Sequence, residues 1–239
     1  MPIQSNAADI HLRSSQALGL RSRSSFSITC WIRANWSEGG RRSFVGIYGP
    51  STDVALGTPV TAVQIGTSGG NGELTFWTWG GGTLIGTATG FMTSRNNRWT
   101  FITYTYDGTT HRGYVDGVQV TSGTATQIDG FLNQVYINGF PTGGTGEVAA
   151  FQLDSYRLFR RTLAPDEILT MYNSEGSRHG IVGGIIASYE FDELPAGNLV
   201  NSVVDLSGNG NTLTSIGPGA AMTYAYVDSL ANSNIRPVQ

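Results

Sequence analysis

Cleaving a glycosidic bond takes two carboxylates set on either side of the linkage, so acidic residues that share a face come first. The nearest candidate is Glu190-Phe191-Asp192-Glu193. On a strand, alternate side chains share a face, which puts Glu190 and Asp192 on one side and Glu193 on the other. No second acidic strand accompanies them, and the run reads as a strand end passing into a turn. Nucleophilic chemistry is no better served. His11, His111 and His179 are dispersed, and neither a Gly-x-Ser-x-Gly elbow nor a Cys–His motif occurs. The expectation is a protein that is not an enzyme.

Two groups suit binding instead. Trp77 and Trp79 lie two apart and so share a strand face. With Trp36 from an early loop they could stack a sugar ring. The same pair would also serve to fill a sheet–sheet core or a subunit interface. Asp205, Asn209 and Asn211, in DLSGNGN, offer the oxygens that a hard cation such as Ca²⁺ takes. That loop lacks the closing bidentate Glu of an EF-hand, and Asp and Asn beside Gly are also ordinary turn formers. No other cofactor is expected.

The elements that must hold these residues are strands. The chain of 239 residues has 33 glycines and only 13% charged residues, a profile of many short strands joined by tight turns. Net charge is −3, which excludes an electrostatic pull toward nucleic acid. All 14 basic residues are Arg. Arg13, Arg21, Arg23, Arg33, Arg41 and Arg42 form the one basic enrichment, read either as a solvated face or as a dock for an acidic neighbour. Cys30 is alone, so no internal disulfide forms, and its place in a strand makes it a small buried hydrophobe. The start, MPIQSNAADIHL, lacks the charged and apolar regions of a secretory signal, and no apolar run approaches a membrane span.

The clearest organisation lies in RWTFITYTYDGTTHRGYVDGVQV, residues 98–120. Trp99–Tyr106 alternates aromatic and β-branched residues, with Ile102, Tyr104 and Tyr106 on one face. Asp107-Gly108 and Asp116-Gly117 supply two tight turns, which predicts a three-stranded meander. Phe26, Ile28, Cys30 and Ile32 alternate with Ser27, Thr29 and Trp31 in a half-buried strand. Ile10 and Leu12 suggest an edge strand, and Val148–Phe159 a long strand with a bulge near Asp154. Pro165 at a first helical position, Asp166 and Glu167 in the first turn and the stripe Ile168, Met171, Tyr172 predict a short helix near 165–173.

Three of these blocks carry a resemblance. W-x-F-I-x-Y-x-Y-D-G with Y-V-D-G-x-x-V, SFSITCW at 25–31, and FQLDSYRLFRRTLAPDEILTMY at 151–172 resemble, in order, the blocks of concanavalin A-like sandwiches of the laminin G and pentraxin type. The resemblance implies an all-β protein: an antiparallel β-sandwich (a concanavalin A-like jelly roll) with one short helix. It also brings glucanases into view, whose E-x-D-x-x-E pattern Glu190–Glu193 does not reproduce. Pentraxins place an acidic calcium cluster before the late strand, where NGFPTGGTGE keeps only Asn138 and Glu147. IIASYEFDE and DLSGNGNTL resemble the opening of a laminin G-like module, yet they follow the other blocks.

Residues 1–180 are therefore expected to form the sandwich. Residues 181–239 are expected to complete it by circular permutation or to pair with a neighbour, and to end in an extended arm from 218. The functional expectation is a non-catalytic structural or attachment protein of a large assembly, with a phage or virus particle first. It would be made in a host cytoplasm and partnered by other structural proteins or copies of itself. The alternative is a soluble or cell-surface lectin domain, extracellular, that binds a glycan. A glycoside hydrolase is third and rests on fold alone. No membrane insertion is expected.

Overall fold

The structure is a computed structural model; it describes residues 2–6, 11–15, 18–21, 24–49, 63–69, 71–78, 83–124, 131–132, 134–139, 148–174, 181, 183–193, 195, 198–216 and 222–224. Two eight-stranded antiparallel sheets pack face to face. The first holds β1 (Ile3–Asn6), β4 (Phe26–Ala34), β9 (Trp99–Tyr106), β10 (Thr110–Val115), β11 (Val118–Thr124), β14 (Ala150–Phe159), β15 (Ile185–Tyr189) and β18 (Thr223–Tyr224). The second holds β2 (His11–Ser14), β5 (Arg42–Tyr48), β6 (Val63–Thr67), β7 (Thr75–Thr78), β8 (Thr83–Gly86), β13 (Gln134–Ile137), β16 (Ser202–Val203) and β17 (Leu213–Ile216). A two-stranded ribbon joins β3 (Leu20–Arg21) to β12 (Phe131–Leu132). One helix, α1, spans Pro165–Asn173. It is too short to cross a membrane, and no helix among the described residues is long and apolar enough to do so.

The first sheet runs β11-β10-β9-β4-β14-β1-β18. Period-two alternation sends Phe26, Ile28, Cys30 and Ile32 of β4 and Ile102, Tyr104 and Tyr106 of β9 into the space between the sheets. Opposite β9, Gly113 has no side chain because Phe76 of the second sheet needs the room. A Cβ there would lie 2.1 Å from the Phe76 ring, which packs on Tyr104 at 5.6 Å between centroids. Burial at the centre of this core pushes the Cys30 thiol well above its usual range, so it stays a protonated, apolar filler.

The outer face of this sheet is covered too. Trp31, Phe101, Tyr114 and Phe159 point away from the core and form a second cluster with Leu163, Ile168 and Met171 at α1. The helix is anchored by Glu167, which accepts the Ala164 N–H at 2.8 Å and pairs with both Arg161 Nη atoms at 2.7 Å. Those two contacts satisfy an orphan N–H at the helix start and tie it to the end of β14.

β14 has β4 along one edge and two shorter strands along the other. β1 pairs with its first half and β15 with its second. Between them the register shifts from Asp154 to Arg157, and Ser155 takes a φ of 49°, so the expected bulge is present. In the second sheet β17 pairs with β2, and β18 pairs with β1 in the first. The segment after α1 thus supplies strands to both sheets. β2 is not an edge strand as its alternation suggested, because β17 and β13 flank it on either side. Of the arm expected from 218, Thr223–Tyr224 form β18 against β1, while residues 218–221 and 225–239, like the loop at 140–147, lie outside the described residues.

Candidate functional site

A cavity of about 400 Å³ opens on the outer face of the first sheet beside α1, lined by Trp31, Ser94, Arg95, Arg98, Trp99, Asp116 and Tyr172. Four elements and the Asp116 turn build it. β4 brings Trp31, whose ring lies 5.2 Å from Phe101 and 5.9 Å from Tyr172. A short 3₁₀ turn at Thr93–Arg95 and the start of β9 bring the arginines and Trp99. The last turn of α1 brings Tyr172. Asp116 sits in the Asp-Gly turn with φ 52°. Its Oδ1 accepts the Phe101 N–H at 3.1 Å, and its Oδ2 accepts from Arg95 Nε at 3.2 Å.

The chemistry of this wall is specific. Trp31 is buried, and its indole N–H has no hydrogen-bond partner. That N–H is sealed from solvent, so Trp31 gives the cavity its packed ring rather than a donor. Trp99 and Tyr172 remain half-exposed and offer ring surface. Burial pushes the Tyr172 hydroxyl above its ordinary range, and the Asp116 carboxylate adds to this against the pull of Arg95 and Arg98, so it is a neutral donor. Aromatic faces beside planar guanidinium groups and one carboxylate are equipped to stack a ring and bind hydroxyls.

The residues singled out in sequence are placed differently. Trp36 lies fully inside the core, edge-on to Phe44 at 5.2 Å, and cannot serve as a platform. The turn after β4 carries Trp36 into the core cluster. Trp77 stands half-buried on the outer face of the second sheet, opposite Gln64 of β6. The Arg41 guanidinium lies over its ring at 3.8 Å, so the face a sugar would use is occupied by a cation–π contact. Trp79 lies outside the described residues. Trp36 and Trp77 are not brought together, one being inside the core and the other on the outer face. Of the arginine group, Arg13 and Arg42 lie in strands of the second sheet, Arg33 in the first and Arg21 in the two-stranded ribbon, so these four do not share one face.

Asp205, Asn209 and Asn211 do converge, but around donors. Asp205 Oδ1 accepts the N–H groups of Ser188 at 3.0 Å and Ser207 at 2.9 Å. Oδ2 accepts the Ser207 hydroxyl and the Asn211 N–H, both at 2.9 Å. Asn209 and Asn211 donate their amides to the Ile186 carbonyl, at 3.4 and 2.7 Å. Calcium needs oxygens turned inward. Here the carboxylate is saturated by N–H and O–H groups, and the loop is a staple onto β15. These residues do not fit the cation expected of them. Asn138 is likewise structural, accepting the buried Ala149 N–H at 3.0 Å. Among the described residues no group of three or more His, Cys, Asp or Glu could hold a metal.

Glu190 is not poised for acid–base work. Its carboxylate takes Arg157 Nη2 at 2.8 Å and the Ser155 hydroxyl at 3.0 Å, and both charged side chains are buried. Phe191 turns inward at φ 55°, while Asp192 and Glu193 are exposed, and Glu193 accepts the Val204 N–H at 3.0 Å. Among the described residues the cavity beside α1 has one carboxylate, Asp116, already engaged.

A laminin G-type family model, described as the concanavalin A-like lectin/glucanases superfamily, matches residues 6–169. The chain belongs to this superfamily. The match runs from β1 into α1 and leaves β15–β18 beyond it. A native heptameric SAP-like pentraxin from Limulus polyphemus shares the fold at a TM-score of 0.59 and 14% identity, over 95% of this chain and 94% of the pentraxin. A candidate carbohydrate binding protein from Bacteroides ovatus aligns at a TM-score of 0.62 and 17% identity. That alignment covers 94% of this chain but 59% of the other, so the superfamily member described here spans about six-tenths of the Bacteroides protein's length. A Trypanosoma rangeli sialidase aligns at 0.51 and 15% identity over 65% of this chain and 24% of the enzyme. No curated protein matches the chain in sequence.

Proposed function

We propose that the chain is a non-catalytic carbohydrate-binding module of lectin type, and that the cavity beside α1 is its binding site. The observation that carries this is the pair of half-exposed rings, Trp99 and Tyr172, which share one cavity wall with Arg95 and Arg98. The half-exposed rings take an apolar sugar face, and the arginines bind hydroxyls or a carboxylate. The description of the Bacteroides ovatus relative as a candidate carbohydrate binding protein agrees with this reading. The engagement of Glu190 by Arg157, and of Asp116 by Arg95, supports binding without bond cleavage.

Quenching of tryptophan fluorescence by a panel of neutral and acidic oligosaccharides tests the proposal. Saturable quenching that Trp99→Ala removes is expected. A panel that leaves the emission unchanged overturns it.

A second reading, attachment within a virion or another large particle, adds a role for protein neighbours. It is favoured by two exposed apolar side chains, Val118 at the start of β11 and Leu169 on α1. A Cβ at Gly117, the residue before Val118, would lie 3.0 Å from the Leu169 side chain. Light scattering tests it: an oligomer that Leu169→Glu dissociates is expected, and a monomer at all concentrations contradicts it.

A further inference from the structure

We infer that the ligand is an extended oligosaccharide rather than a single terminal sugar, lying across four strands from α1 toward β1. This rests on the carbohydrate-binding reading of the cavity beside α1 and concerns what lies next to it.

Trp99 is directly opposite Arg33 in the β9–β4 register, Arg33 is opposite Gln152 in β4–β14, and Gln152 is opposite Gln4 in β14–β1. Directly paired residues share a face, so the four side chains form one transverse row, and all four are half-exposed. Adjacent strands lie about 4.8 Å apart, so the three intervals span roughly 14 Å, room for more than one pyranose ring.

The row is held in place by its own hydrogen bonds. Gln152 Nε2 donates to Gln4 Oε1 at 3.5 Å, Arg33 Nη1 donates to Gln152 Oε1 at 3.3 Å, and Arg33 Nε donates to the Asn97 carbonyl at 2.8 Å. These residues border a second cavity, of about 560 Å³, lined also by Asn35, Glu38 and Asn97. Asn97 lines this second cavity while the next two residues, Arg98 and Trp99, line the first, so the two adjoin along this stretch of chain.

The two cavities differ in a way that suits successive sugar units. The one beside α1 offers aromatic surface. The other offers side-chain amides, a guanidinium and a carboxylate, groups that between them donate and accept as sugar hydroxyls do. Nucleic acid is disfavoured by Glu38 in the groove and the net charge of −3. An extended peptide would seek a sheet edge, whereas this row crosses four strands of the sheet's face.

The test is calorimetric titration with glucose, galactose and N-acetylglucosamine oligomers from monomer to hexamer, on wild type, Trp99→Ala, Gln152→Ala and Gln4→Ala, each variant checked for an unchanged thermal melt. For at least one sugar the affinity should rise about tenfold from monomer to tetramer and then level off, the scale of one or two added hydrogen bonds. Gln152→Ala, and Gln4→Ala at the far end, should remove most of that rise and leave monomer affinity within about twofold. Trp99→Ala should abolish binding at every length. If monomer and tetramer bind equally and only Trp99→Ala matters, the extended site is wrong while the module remains a glycan binder. If no oligomer binds wild type, both readings fall.

Discussion

The ring of Trp31 stacks on that of Tyr172 with centroids 5.9 Å apart and planes inclined by 28°. One residue belongs to a central strand and the other to the only helix of the described structure, so this contact both docks α1 and shapes the cavity wall. Tyr172→Ala should lower stability by about 1 kcal/mol, the scale of an aromatic pair. It should weaken glycan binding by a larger factor than that destabilisation explains in a still-folded protein. Thermal melts and titration of the same sample separate the two effects.

The buried pair of Arg157 and Glu190 should behave as a structural contact. Removing one partner strands the other charge, so Glu190→Ala is expected to cost about 3–5 kcal/mol in chemical denaturation. Wild type should release no reducing sugar from any oligosaccharide that it binds. Measurable turnover that Glu190→Gln abolishes would return the chain to hydrolase chemistry.

The loop around Asp205 should hold without metal. Asp205→Ala leaves the N–H groups of Ser188, Ser207 and Asn211 without their acceptor and is expected to cost about 2–3 kcal/mol. EDTA or millimolar calcium should leave the wild-type melting temperature in place. A rise with calcium concentration would show that a bound cation stabilises the folded state.

Acid should loosen α1 in a defined direction. The Arg161 guanidinium holds the Glu167 carboxyl below its ordinary value, opposed by burial and helped by the Ala164 N–H. A depressed carboxylate contributes stability that is fully present above the unfolded value of about 4.3 and is lost as pH falls through the folded value. Stability should therefore decline below about pH 4.5, and Glu167→Gln should be less stable at neutral pH with a shallower acid decline. Denaturation midpoints from pH 7 to pH 3 on both proteins check this. Asp107 acts in the same sense: burial raises its pKa, but the N–H groups of Thr110 and Thr109 and the Arg112 side chain hold it far below its ordinary value.

What could be read from the chain alone was local. Pro165 with Asp166 and Glu167 marks the start of α1, and the two Asp-Gly turns delimit β9 to β11, because backbone conformation there is set within a few residues. Alternation also put Trp31 on the face opposite Phe26 and Ile28. It could not show what lay on that face, since Tyr172 is more than a hundred positions away. The same limit applies to Trp36 and Trp77, for which the sequence left platform and packing roles open. Trp36 follows a strand and looks like loop, yet Phe44 draws it inward, while Arg41 closes over Trp77 from a neighbouring turn. In DLSGNGN the residue types suggested a cation, and only the position of β15 shows Asp205 surrounded by donors. The useful missed signal was Trp99 beside Arg98 and Arg95: an aromatic flanked by guanidiniums just before a strand that is otherwise buried.

A glycan array read with wild type, Trp99→Ala and Trp77→Ala in parallel bears most directly on where this sandwich binds. The account predicts that wild type and Trp77→Ala retain the same glycans while Trp99→Ala loses them. Loss in Trp77→Ala with retention in Trp99→Ala would place the site on the opposite sheet and contradict it.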